Sequence, residues 1–450
     1  MTTQSPLAAV GVWNEAPPGN RWANEGMQRL LGFLIEGAAA ADLPVVWRLI
    51  VPSWLAAEAE ADLRSLKAQP GVHWTLHTPP PPAAPTPAGM DASTEPEWVR
   101  DLAAFANAEV PVDGWLVPFP YFTGATLLAR RYAVILPDAI PYSFPLSWHP
   151  DYWSATGWPV WRERTARVIA RADTIVIFSE HVRVEAAQRL FGLPIHRTMV
   201  APHAQPDLRP HLPFLPADGN RTTFSRNKAA TLLRNQAKAR GWRHLVDFPF
   251  EHVDYVVVST QDRQTKNVVT VVDAVAQLLR REALDLKLLM TTPIHVGATW
   301  TPLPGRIASD GLDLDVLSLP DLPRDVHAAL YHGASLAIHA SFYEGGQAPF
   351  PFHEAVSVGT PCLIADGPHT REFLGTTDSQ GFVFDPYDPL SLAMAIRAIL
   401  SDRAAALSRQ RAFIAGMPAR GWGDVAADYA SAALGSRLAT RACIAGKFAA

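Results

Sequence analysis

A chain of 450 residues is too long to close around one hydrophobic core, and 48% hydrophobic with 18% charged residues describes an ordinary globular protein of two domains. A net charge of -4 argues against a nucleic-acid binder driven by overall positive charge. Two cysteines, Cys362 and Cys443, make no disulfide framework and no CxxC metal spacing, and their usage fits a reducing cytoplasm.

The first residues, MTTQSPLAAVGVWNEAPP, lack the basic and apolar regions of a secretory leader. Ala8 to Trp13 then reads as a short apolar strand. The loop Asn14 to Gly26 follows, and Met27, Leu30, Leu31, Leu34 and Ile35 recur at helical spacing. Leu30 to Val51 is the richest apolar stretch, but Glu36, Asp42 and Arg48 interrupt it, so no membrane span is expected. Val45 to Val51 and Gly71 to Leu76 read as the second and third strands. His73 and His77 sit in the alternating third one, facing solvent rather than a metal. Pro79 to Pro87 is an extended surface loop. GWLVPF, YAVILPD, TIVIFSE and RTMVAPH supply four more strands.

The second half repeats this style. YVVVST, LKLLMT, LDVLSL, SLAIHA and PCLIAD are strands, and Val268, Val271, Val272, Val275, Leu278 and Leu279 mark a helix. The fold class is therefore α/β, with two doubly wound Rossmann-like domains facing a central cleft. The boundaries are 1–210 for an N-terminal Rossmann-like domain, 211–253 for a linker or insert carrying a helix near Asn227 to Ala239, and 254–420 for a C-terminal Rossmann-like domain. A helical tail, 421–450, is expected to pack back on the first domain.

Between Ala340 and Pro361 the chain places Glu344 and Glu354 around Gly345 and Gly346, directly after a strand. Glycines free to take positive φ let phosphate approach backbone N–H groups, and a helix N-terminus favours an anion. A carboxylate accepts from two adjacent ribose hydroxyls. Glu354 suits the ribose and Glu344 the sugar itself; the plain alternative is a first-turn capping Glu354 and a surface Glu344. Arg263 and Lys266 fall just before a helix, where cations oppose its dipole, and a bound anion would offset that cost. Otherwise they are two solvated cations. Trp148, Trp153, Trp158 and Trp161 crowd one segment beside Arg162, Arg164 and Arg167, suiting sugar stacking, a membrane interface or ordinary core packing.

EGGQAPFPFHEAVSVGTPCLIAD resembles the donor-site motif of GT-B glycosyltransferases of family 4, and the likeness extends over roughly Ala133 to Ala412. It implies retention of anomeric configuration, no metal, and no cofactor beyond the nucleotide-sugar donor. Carried over by position, Glu344, Lys266, Arg263 and Asp138 would be catalytic. Glu354, Gly345, Gly346, Gln347, Ser259 and Gln261 would bind the donor. Gly26 and Asn24 would line the acceptor side or cleft. The pattern departs in three places. Nine residues separate the glutamates where the family has seven, Gln261 stands where the family often has Arg, and Pro137 where it often has His. Asp138 then either contacts a sugar or merely makes an Asx-turn before Pro141. The resemblance implies a hexosyltransferase-type enzyme of cell-surface polysaccharide biosynthesis, cytoplasmic or at the inner face of the membrane. Its partners would be a nucleotide-sugar and a glycan or lipid-linked acceptor, with peripheral membrane contact and no nucleic acid. A sugar-nucleotide epimerase or phosphorylase, or a non-catalytic sugar-nucleotide-binding scaffold, are the competing readings.

Overall fold

The computed structural model describes residues 7–20, 22, 26–67, 71–81, 95–144, 157–294, 302–346, 349–436 and 438. The chain forms two compact units. One comprises residues 1–145, 151–204 and 420–450, the other 146–150 and 205–419.

In the first unit, β1 (Ala8–Trp13), β2 (Val45–Ile50), β3 (Trp74–His77), β4 (Gly114–Val117), β5 (Tyr132–Leu136), β6 (Thr174–Ile177) and β7 (Thr198–Val200) form one sheet in the order β3-β2-β1-β4-β5-β6-β7. Every pairing is parallel. Parallel strands are covered on both faces, so they read as apolar runs, and β4 and β5 are buried throughout. β3 lies slightly later than expected, leaving His73 ahead of it and exposed, while His77 shares a 2.8 Å hydrogen bond with Thr75. The helix Trp422–Leu434 returns to this unit. Trp422 stacks on Phe33 at 4.4 Å, and Gly37 admits it because a Cβ there would stand 2.3 Å from the Trp422 carbonyl.

In the second unit, β8 (Tyr255–Val258), β9 (Lys287–Met290), β10 (Val316–Ser318), β11 (Leu336–His339), β12 (Cys362–Ala365) and β13 (Val383–Phe384) form a parallel sheet in the order β10-β9-β8-β11-β12-β13. The two-residue β13 is too short for periodicity to reveal. The helix Val268–Arg281 buries Val268, Val271, Val272, Val275 and Leu278 against the sheet, the face its spacing set. Residues expected as a linker instead build this unit's core. The helix Thr223–Arg240, capped by Thr222 and closed at Gly241 with φ +70°, packs Ala229, Leu233 and Ala237 against Arg324–Gly333. His332 locks the two helices together, its Nε2 2.8 Å from the Ser225 hydroxyl and its Nδ1 2.7 Å from the Val358 carbonyl.

Candidate active site

Strand order reverses at one place in each sheet, and the loops leaving the two strands there diverge around a crevice at the carboxyl ends. In the second unit that place lies between β8 and β11. The loop after β8 runs through Ser259 to Asn267, and the loop after β11 carries Glu344. They are tied together: the Phe342 N–H donates to the Thr265 carbonyl at 2.9 Å, and the Ser341 hydroxyl donates to the same oxygen at 3.2 Å. Asn267 takes a left-handed turn (φ +53°) ahead of the helix Val268–Arg281 and is fixed by donating to the Pro386 carbonyl at 2.8 Å.

This framework brings Lys266 and Glu344 into an ion pair, with Nζ 2.5 Å from Oε1. His339, the last residue of β11 and buried, places Nε2 3.1 Å from the same oxygen. Burial works against charge on Glu344, but Lys266 and His339 outweigh it and hold the carboxyl well below its ordinary range. The anion that offsets the misplaced Lys266 cation is thus, in the free protein, a carboxylate of the chain itself. Arg263 is half-buried and joins Asp262, Gln264, Asn267, Val268, Val269 and Pro302 in lining a cavity of about 350 Å³ at the start of that helix. Gln261 is exposed, its carbonyl accepting from the Arg263 N–H at 3.0 Å. The Ser259 hydroxyl is held at 2.8 Å by His327 Nε2 and receives the Thr291 hydroxyl at 3.3 Å.

Several expectations need correction. Gly345 and Gly346 do not adopt positive φ, so the loop's shape does not rest on left-handed glycines. Glu354 is not in a first turn: it is the fifth residue of the helix Phe350–Ser357, and only 1% exposed. Neither capping nor a solvent-facing role describes it in the free protein. It lies close enough to His353 and Cys362 to affect both. Burial lowers His353 to about 4 and raises the Cys362 thiol; Glu354 opposes the first shift and adds to the second. Pro351 does occupy the first turn, and Gly359 with φ +87° follows the last. Gln347 and Asn24 lie outside the described residues, as do Trp148 and Trp153 and the side chain of Trp158.

The first unit reverses between β1 and β4, and there the chemistry differs. Glu15, just past β1, is 4% exposed, and its Oε2 accepts from Trp13 Nε1 at 2.8 Å. Burial pushes its carboxyl up to about 8; the Trp13 hydrogen bond opposes this, and Glu95 adds to it. Gly124 is obligatory beside it, since a Cβ would stand 2.3 Å from Glu15 Oε2 and 2.4 Å from Val99. Glu95 instead accepts from the Thr123 hydroxyl at 2.6 Å and from Arg167 at 3.1 Å, and Arg164 donates to Thr123 at 3.0 Å. Arg164 and Arg167 therefore serve a buried carboxylate, and Trp161 is core, packed on Phe191. Asp138 makes the Asx-turn, its Oδ1 accepting from the Ile140 N–H at 3.0 Å. Gly26 opens its helix exposed, and a Cβ added there would meet nothing within 4 Å. Gln28, two residues on, is 6% exposed with its amide oxygen unpartnered, and lines a small apolar pocket with Trp22, Met27 and Phe119.

Sequence reasoning missed Glu15, Gln28 and His339. Only Glu15 carried a signal, as an acid directly after an apolar strand. Among the described residues no group of three metal-ligating side chains forms a cluster, and no helix is long and apolar enough to cross a membrane.

Residues 248–415 match the family model for glycosyl transferases group 1. No curated protein matches the chain significantly. Among solved structures, sucrose-phosphate synthase from Thermosynechococcus elongatus is 15% identical with a TM-score of 0.64, over 94% of this chain and 98% of its own. Anabaena HepE in complex with UDP and glucose is 15% identical with a TM-score of 0.56, over 98% and 99%. An E. coli trehalose-6-phosphate protein bound with UDP-2-fluoro glucose is 11% identical with a TM-score of 0.57, over 96% and 100%. At these identities the likeness establishes the fold, which is that of GT-B glycosyltransferases.

Proposed function

We propose that the chain is a glycosyltransferase that moves a hexosyl group from a nucleotide-sugar to a glycan or lipid-linked acceptor. The observation that carries this reading is the Lys266–Glu344 pair at the switch point of the second sheet. A compact cation beside an ionised carboxylate there suits a donor with a diphosphate and a hydroxylated sugar. Lys266 and Arg263 would meet the diphosphate, and Glu344 the sugar hydroxyls. The family match over residues 248–415 covers these groups, and the structural neighbours include proteins bound to UDP and glucose or to UDP-2-fluoro glucose.

Gly345, Gly346, Gln347, Ser259 and Gln261 complete the donor contacts in this reading, and Glu354 receives the ribose, which requires that donor binding uncover it. The acceptor is assigned to the first unit, at Asn24 and Gly26, with Asp138 as a further polar contact. Transfer leaves the donor as a nucleoside diphosphate, and Lys266 and Arg263 stabilise the charge that develops on it. Retention, family 4 membership, independence of metal, a cytoplasmic setting at the inner face of the membrane, and a role in surface polysaccharide assembly belong to the same proposal. Product analysis tests it. Wild type incubated with UDP-, GDP-, ADP- and dTDP-sugars and candidate acceptors should release one nucleoside diphosphate and glycosylate an acceptor with retention. An epimerised donor without any acceptor would contradict transfer, and binding without turnover would favour a scaffold.

A further inference from the structure

Two nitrogens approach one oxygen of Glu344, Lys266 hydrogen-bonded to it and His339 near it with its own Nε2 unpartnered among the described residues. Lys266 Nζ is 2.5 Å from Oε1 and His339 Nε2 is 3.1 Å from it, while among the described residues Oε2 has no partner. Lys266 donates to Oε1, whereas the buried His339 Nε2 lies within reach of that oxygen without a formed hydrogen bond, and Oε2 retains its capacity for a pair of hydroxyls. The two groups are unlike each other. Lys266 is a flexible ammonium in the loop after β8, at the end of the short turn Gln264–Lys266. His339 ends β11, paired with Ile364 of β12 and 5% exposed, so its backbone and ring are fixed by the sheet.

A donor diphosphate carries more charge than one carboxylate and competes for the same ammonium. Once Lys266 turns to phosphate, Glu344 loses its cation just when its orientation toward the sugar matters. We propose that His339 is the positioning residue that keeps Glu344 in place when Lys266 turns from it to the donor's diphosphate. The proposal rests on the donor-site reading above and adds to it a division of labour. Lys266 guards Glu344 in the free protein, and His339 holds it in the complex. A neutral imidazole with its N–H at Nε2 suffices, because its unpartnered proton would donate to the carboxylate once Lys266 leaves it, without needing charge.

The test compares sugar-nucleotides with their bare diphosphates. Calorimetry with UDP and UDP-glucose, and with the GDP/GDP-mannose and ADP/ADP-glucose pairs, is run on wild type, His339→Ala, His339→Phe and His339→Gln. For the pair wild type binds, His339→Ala and His339→Phe should weaken the sugar-nucleotide about ten-fold relative to the diphosphate, whose own affinity stays within about two-fold. His339→Gln, which keeps an N–H donor, should recover most of the loss, with kcat falling more than KM rises in the other two. Equal loss for diphosphate and sugar-nucleotide would mean a structural residue and overturn the proposal. An unchanged ratio in a folded His339→Phe would also overturn it while leaving the donor site standing. Failure of wild type to bind any pair would overturn the donor-site reading and this inference together. If His339→Ala does not fold, His339→Phe and His339→Gln carry the comparison.

Discussion

The two sheets reverse strand order in the same way, yet they place opposite chemistry at the reversal. Between β8 and β11 a carboxylate is held ionised, partly open to solvent, by a lysine and a histidine. Between β1 and β4 a carboxyl is sealed from solvent beside an indole N–H and pushed up to about 8. The difference teaches how topology and function separate. Topology fixes where loops gather, while the partners supplied by those loops decide whether the place offers a charge to a ligand or buries a neutral group. The second unit's reversal presents a partly exposed ion pair. The first unit's acid is equipped to hold Trp13 and the Gly124 turn.

The strongest way to break this comparison is to remove the cation. Lys266→Ala should lower kcat by about 100- to 1000-fold, the scale of losing one preorganised donor to developing charge. Steady-state kinetics with the accepted donor would show it, and near-normal turnover would remove Lys266 from the chemistry. Glu344→Gln should lower kcat/KM about ten-fold or more, with little effect on binding of the bare diphosphate. On the other side, Gly124→Ala should destabilise the protein by about 1–3 kcal/mol, because the added methyl meets Glu15 and Val99 inside contact distance. Denaturant unfolding would report it.

The smallest effects sharpen the contrast through their signs. The folded pKa of Glu15 is raised, so its burial costs nothing below the unfolded value near 4.5. The cost grows as pH rises toward 8 and is then constant. Glu15→Gln should therefore stabilise by about 1–3 kcal/mol at pH 8 and by almost nothing near pH 4. Glu344 has a depressed folded pKa, so its contribution is present above 4.5 and is lost as pH falls through the folded value. Glu344→Gln should destabilise at pH 7, the opposite sign, and the gap from wild type should close in acid. Melting temperatures of both variants from about pH 2 to 9 distinguish these slopes; parallel slopes would erase the distinction between the two reversals.

Much of the fold was legible because parallel strands are apolar runs and their helices carry a regular stripe. YVVV and the Val268 to Leu278 spacing could form little else. Residues 211–253 read poorly because the buried face of Thr223–Arg240 is made of three alanines, one leucine and Ser225, which give weak contrast. At the site, Lys266 and Glu344 were found separately, one by its place before a helix and one by its glycine loop. Their pairing was not legible, since 78 positions separate them and only the adjacency of β8 and β11 brings them together. His339 was hidden as an ordinary strand residue, and the depth of Glu354 depended on a helix register that starts at Phe350. Glu15 acquires its raised proton affinity from burial, with Glu95, distant in sequence, adding to it.

The central claim is that the reversal in the second sheet is the donor site. Its most direct test is calorimetric titration of UDP-, GDP-, ADP- and dTDP-sugars into wild type, Lys266→Ala and Glu354→Ala. The account predicts that one donor binds wild type and that both substitutions weaken it, Lys266→Ala by about ten-fold or more. Undiminished binding in Lys266→Ala, or no binding of any donor to wild type, would contradict it.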